Sequence, residues 1–137
     1  MPPTPLIHFE SVALLPFDAP HNHHWLITAS GNLHFHRNSP GAVRPEEADL
    51  YWYDAPLPHQ PTLTLSTEDL EALNAYIATL AAHPPHTRRD SPDTEGGGWD
   101  RLTAQTPQGT VVIELHSAHQ GDMRAFITPI QNLWATK

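Results

Sequence analysis

The chain has no cysteine, which removes disulfides, thiolate zinc sites and cysteine nucleophiles from consideration. Basic residues are also scarce: 7 lysines and arginines stand against 15 acidic side chains, and the formal charge of −8 would repel a phosphate backbone. Apart from Arg88-Arg89 the basic residues are scattered, so nucleic acid is not an expected partner. No apolar run approaches the roughly 20 residues that span a bilayer, and the first thirty residues lack the basic start and apolar stretch of a secretory leader. We therefore expect a soluble, cytoplasmic protein with no membrane partner. No segment repeats at a fixed period, which sets aside solenoids and propellers.

What the chain does have is proline and histidine. Fifteen prolines and seven glycines break its 137 residues into short apolar segments, the pattern of one compact mixed domain over residues 1–137. Eleven histidines would carry the charge from −8 to about +3 on full protonation, so behaviour should change steeply between about pH 5 and 7.

Leu6 to Leu15 (LIHFESVALL) reads as a first strand, ended by Pro16. The following stretch, HNHHWLITASGNLHFH over residues 21–36, holds five histidines and a hairpin turn at Ser30-Gly31-Asn32. Binary patterning selects its register, because a one-residue slip moves every side chain of a strand to the other face. A two-residue loop mixes apolar and polar groups on both faces. A three-residue loop, with Trp25 opposite Arg37, places Trp25, Ile27, Ala29, Leu33 and Phe35 on one face and Leu26, Thr28, His34 and His36 on the other. Asp49 to Asp54 (DLYWYD) and Thr62 to Ser66 (TLTLS) read as further strands.

Ser66 then caps a helix over Thr67 to Ala82, with Asp69 at its third position and Leu70, Leu73, Ile77 and Leu80 on one stripe. Pro84-Pro85 ends it. Residues 84–98 (PPHTRRDSPDTEGGG) contain no apolar side chain and read as a mobile loop. A second hairpin is expected from Trp99 to Thr106 and Thr110 to Ser117. A terminal helix follows Asp122, its stripe running through Met123, Phe126, Ile127, Ile130, Leu133 and Trp134, with Pro129 as a kink. The expected fold is α+β: an antiparallel sheet of four to six strands with two helices packed on one face.

Candidate chemistry centres on two clusters. His34 and His36, as strand neighbours about 7 Å apart on one face, could supply two ligands to zinc or another divalent transition metal, with His21, His23 or His24 adding a third. A half-exposed polar sheet face accounts for the same histidines without a metal or other cofactor, and that is our preferred expectation. Alternation along Tyr51-Trp52-Tyr53 sends both tyrosines to one face; if Trp52 is core, Tyr51 and Tyr53 become exposed anchors for a protein partner. Arg88 and Arg89 in the polar loop are candidates for the same contact. Ser117, His119 and Asp122 have the residue types of a hydrolytic triad but share one short stretch without a nucleophile elbow. No catalytic residue is therefore assigned.

The succession of a short hairpin around SGNLHFHR, a capped helix LSTEDLEALNAYIATL, a hairpin ending TVVIELHS and a terminal apolar helix resembles the emfourin-like family over roughly residues 25–135. That resemblance implies a small α+β inhibitor of thermolysin-like metallopeptidases, and it carries over no inhibitory residue by position. Together these readings lead us to expect a non-enzymatic module that binds another protein, inhibitor-like or immunity-like. A histidine-ligated metal protein or small metalloenzyme built on residues 21–36 is the alternative.

Overall fold

The computed structural model describes residues 5–13, 16–48, 51–82, 86–88, 98–116 and 123–134. Its strands are β1 (Pro5–Ala13), β2 (His23–Thr28), β3 (Asn32–Arg37), β4 (Leu63–Thr64), β5 (His86–Arg88), β6 (Gly98–Thr106) and β7 (Gly109–His116). Two α-helices, α1 (Thr67–Leu80) and α2 (Met123–Gln131), join them, and a 3₁₀ turn spans Pro16–His21. All strands form one open sheet in the order β4-β3-β2-β1-β6-β7-β5. Six of them run antiparallel to their neighbours, and β5 alone lies parallel, beside β7. This is the expected α+β class with one addition, since β5 arises within the stretch read as a loop. Backbone N–H and C=O groups suffice for a short ladder, so the lack of apolar side chains in residues 84–98 does not prevent three of them from pairing. Residues 83–85 and 89–97 lie outside the described residues.

One face of the sheet is apolar because the strand period of two collects Ile7 and Phe9, Trp25 and Ile27, Leu33, Leu102 and Ala104, and Val111 and Ile113 on it. Both helices pack there. Leu73, Ile77 and Leu80 of α1 and Met123 and Ile130 of α2 complete the same buried cluster, and the Tyr76 hydroxyl donates to the Phe126 carbonyl at 2.5 Å. Pro129 lies inside α2, where it lacks the N–H that would reach Ala125. Residues 132–134 continue as turns, with Leu133 and Trp134 still packed against the core.

The start of α1 follows the reading of its cap. Ser66 sits in extended backbone and its Oγ accepts from the Asp69 N–H at 3.1 Å, satisfying a donor that the first turn cannot pair internally. Ser66→Ala should lower stability by about 1 kcal/mol. Urea unfolding of the two proteins measures the difference; an unchanged midpoint would show that the cap does not hold the helix end.

The first hairpin departs from expectation by two residues. Trp25 lies opposite Phe35, not Arg37, and Ile27 opposite Leu33. The connection over residues 28–32 is longer because Thr28, buried, turns its hydroxyl to Ser30 and to the Asn32 N–H. Gly31 takes a φ of +90° there, with the Leu70 side chain 3.4 Å from where a Cβ would stand. A shift of two leaves every side chain on its assigned face, so the faces hold while the partners change. Asp49 to Asp54 is a larger departure. Residues 49–50 lie outside the described set, and 51–54 form no strand. The edge of the sheet beside β3 is instead taken by β4, with Thr64 opposite Asn32.

Candidate functional site

The second face of the sheet, away from the helices, carries the polar alternates of the same strands. In the observed register one row crosses five strands: His36, His24, Glu10, Arg101 and Glu114 are successive partners on β3, β2, β1, β6 and β7. Beside it runs a second row of His34, Leu26, His8, Thr103 and Val112. Neighbouring side chains on such rows stand about 5 Å apart.

Residues 51–58 lie across this face, from Asp54 at His36 of β3 to Tyr51 at Arg101 of β6. Asn22 holds them to the sheet, its Oδ1 accepting from the Ala13 N–H at 2.7 Å and its Nδ2 donating to the Trp52 carbonyl at 3.1 Å. The Asp54 N–H donates to Asn38 Oδ1 at 3.0 Å, and the Asp54 carboxylate accepts from the Ser39 N–H at 2.8 Å and from His36 Nε2 at 2.6 Å. The Ser39 N–H, with His36 beside it, holds the Asp54 carboxyl below the usual carboxylate range. His34 Nδ1 donates to the Pro58 carbonyl at 2.8 Å. The side chains of Asn22 and Asn38 thus take up backbone groups that a strand would have paired, which is why residues 51–54 cross the face as a covering segment.

Under that segment, the His24 ring stacks on Tyr53 with centroids 3.7 Å apart and planes 7° from parallel. His8 and His36 flank it at 6.0 and 5.8 Å. His24 is 7 % exposed, and burial, reinforced by the neighbouring histidines, pushes its pKa down to about 4. Burial also lowers the pKa of His8 and that of His23. Tyr51 and Tyr53 are half-buried with their hydroxyls turned inward. Burial raises both phenols, with the Glu114 charge adding to Tyr51 and the Glu10 charge to Tyr53. The tyrosines are therefore not the exposed anchors expected from alternation, since the segment lies flat on the sheet and Trp52 is half-buried with them. Arg88 contributes its backbone to β5, and Arg89 lies outside the described residues.

No family model, curated protein or solved structure matches this chain. The site has to be read from its own geometry.

The histidines of residues 21–36 divide. His24, His34 and His36 share the second face, whereas His23 lies on the helix-bearing face with its ring against Phe9 and Phe35 at 5.8 and 6.1 Å. His21 is exposed at the end of the 3₁₀ turn. Among the described residues, no group of three or more histidine, aspartate or glutamate side chains is arranged to hold a metal ion. Ser117, His119 and Asp122 lie outside them.

Beside residues 51–58, towards Pro5, Leu26 and Gln105, the same face forms a hollow of about 500 Å³ over β1, β6 and β7. Leu26 and Val112 supply apolar surface to it, and His8, Glu10, Arg101 and Glu114 its polar side. Arg101 donates to Glu10 Oε1 through Nε at 2.9 Å and Nη2 at 2.7 Å, and its guanidinium also lies 4.0 Å over the Tyr51 ring. Sequence reasoning missed these residues. The alternation of His8 and Glu10 within LIHFESVALL was visible, but their meeting with Arg101 and Glu114 depends on β1 lying between β2 and β6, strands far apart in the chain. Such a surface suits recognition by shape, charge and hydrogen bonding.

Proposed function

We propose that this protein is a non-catalytic binding module of the inhibitor or immunity type, acting in the cytoplasm on another protein that presents a basic surface to the β1-β6-β7 half of the sheet. The observation that carries this reading is the half-covered face: residues 51–58 cover one side of it and leave beside them a concave, mixed apolar and charged hollow. A rigid sheet floor of this kind binds with little reordering, which favours affinity. The whole chain carries −8, so electrostatic complementarity selects a basic partner. The order of hairpin, capped helix, hairpin and terminal helix supports the inhibitor class through its likeness to emfourin-like proteins.

Capture from lysate of the native host tests this when three baits are compared: the wild-type chain, Val112→Arg, which fills the hollow, and Glu71→Arg on the exposed side of α1. The expected result is a stoichiometric protein held by the wild type and by Glu71→Arg and lost by Val112→Arg. That protein, once purified, should bind at least about tenfold more weakly to Val112→Arg, a loss of about 1.4 kcal/mol. Equal capture by all three baits, or no stoichiometric partner for any, overturns the proposal.

A further inference from the structure

We propose that residues 51–58 are a strap that lifts off the sheet as a unit while the core stays folded, and that acid favours its release. Lifting needs no partner in the hollow and is independent of the binding-module reading.

The closed strap seals polar atoms that nothing pairs. His24 Nε2 on the sheet and the hydroxyls of Tyr51 and Tyr53 on the strap are all buried, and none has a hydrogen-bond partner among the described residues. They share one contact: Tyr53 lies on the His24 ring at 3.7 Å, and Tyr51 lies on the Arg101 guanidinium at 4.0 Å. A buried polar group without a partner gives up its water and receives no bond in return. Three such groups make closure costly at that contact, and lifting returns them to water.

What holds the strap is separable from the core. None of residues 51–58 belongs to the buried cluster between the sheet and the helices, and they form no strand or helix. Their bonds to the sheet each use a side chain: Asn22 to the Trp52 carbonyl, Asn38 to the Asp54 N–H, His36 and the Ser39 N–H to the Asp54 carboxylate, and His34 to the Pro58 carbonyl. Breaking them interrupts no ladder and removes no residue from the core cluster. The strap therefore belongs to the parts of a protein that open locally, at less free energy than global unfolding.

Acid acts through the row beneath. The groups facing His24 are His8 and Glu10 of β1, His36 of β3 and Tyr53 of the strap, with Arg101 beyond Glu10 and Asp54 beyond His36. Glu10 is engaged by Arg101 through two bonds, so a proton on His24 meets a ring stacked on it and two titratable rings beside it. Burial, reinforced by His8, His36 and His23, holds its pKa at about 4 while the strap is closed. Once the strap lifts, water reaches the ring and the value returns towards 6.5. The open form therefore binds the proton more tightly, and acid draws the equilibrium towards it. A proton on His36 has two opposed effects, tightening the bond to Asp54 and repelling a second proton on His24, whose ring is 5.8 Å away.

Native-state amide exchange tests the strap with two reporters, the Asp54 N–H, which donates to Asn38, and the Ser39 N–H, which donates to Asp54. Leu102, buried in the central strand β6, is the reference. At pH 7.5 both reporters should be protected, yet exchange at least about tenfold faster than Leu102 through an opening that low urea does not accelerate, because little surface is exposed. Tyr51→Phe combined with Tyr53→Phe removes two sealed hydroxyls and should lower the opening constant about tenfold. Between pH 7.5 and 5 the wild-type opening constant, corrected for the intrinsic exchange rate, should rise about thirtyfold, and that of His24→Phe should rise far less. Protection of Leu102 in each variant verifies that it folds. Reporters that exchange at the rate and with the urea dependence of Leu102, or at the rate of an unprotected peptide, overturn the strap, as does a double variant that opens as readily as the wild type or more so. A pH response of equal size in the wild type and His24→Phe overturns its release by acid.

Discussion

Acidification from pH 7.5 to 4 should remove about 3 kcal/mol of stability through His24 alone. Its folded pKa, about 4, lies below the ordinary value of 6.5. The unfolded chain therefore binds more protons than the folded one throughout that window, and stability rises with pH across it. The contribution is complete above pH 6.5 and is lost progressively as the pH falls towards 4. The cause is geometric. The ring lies between the sheet and Tyr53 with His8 and His36 beside it, so a proton on it is taken out of water and set close to two other titratable rings. His8 and His23, also lowered by burial, add to the slope in the same direction.

Urea unfolding of the wild type and of His24→Phe at half-unit steps from pH 7.5 to 4 measures the effect. The phenyl ring keeps the stack on Tyr53 and cannot titrate, so the variant's stability should fall less with pH, the two curves converging by about 3 kcal/mol. Parallel curves would show that His24 is not held neutral in the folded state. Since residues 51–58 rest on this ring, amide exchange in that segment should rise as the pH falls.

Trp25→Ala should cost about 3–5 kcal/mol, a large part of the roughly 5–15 kcal/mol that a domain of this kind has in total. Trp25 is fully buried at the centre of β2, with Phe9 at 5.4 Å and Trp134 at 4.8 Å between ring centroids. It thereby joins the sheet to the chain after α2, and its removal leaves a cavity that rigid strands cannot close. Trp25→Phe provides the graded case. The indole Nε1–H has no hydrogen-bond partner among the described residues, so replacing the indole by phenyl removes an unsatisfied donor as well as volume. The loss should be about 1 kcal/mol, at the mild end of volume changes in cores. Equilibrium unfolding distinguishes the two variants. Equal losses would mean that the site repacks around alanine, and no loss in either would mean that the packing of Phe9 and Trp134 on Trp25 does not stabilise the fold.

Much of the fold was legible because its signals are local. Ser66, Asp69 and the stripe Leu73-Ile77-Leu80 set the start and the buried face of α1 within a few turns of chain. Alternation in WLI and LHFH placed Trp25, Ile27 and Leu33 in the core, and it did so even though the hairpin register was two residues from the expected one. Parity survives such a shift, but partnership does not. The hydroxyl of Thr28 and the conformation of Gly31 decided the turn, and neither is visible as a pattern of apolar and polar residues.

The candidate site was less legible, for a reason particular to sheets. DLYWYD has the composition of a strand, but whether an aromatic segment pairs or covers depends on which edge is vacant. Here β4 occupies that edge, and Asn22 and Asn38 take the segment's backbone groups. Arg101 and Glu10 are 91 positions apart in the chain, and no local period connects them.

What the sequence determined by itself is what short-range chemistry controls: the α+β class, the α1 cap, the apolar face of each strand, and the acidic, cysteine-free character that disfavours nucleic acid and thiolate chemistry. Only the tertiary structure decided the strand order, the lay of residues 51–58 over part of the second face, and the meeting of His8, Glu10, Arg101 and Glu114 around one hollow. The physical reason is that a strand's own residues settle which side chains share a face, whereas the neighbours on that face are chosen by contacts between distant segments, which exist only once the core has closed.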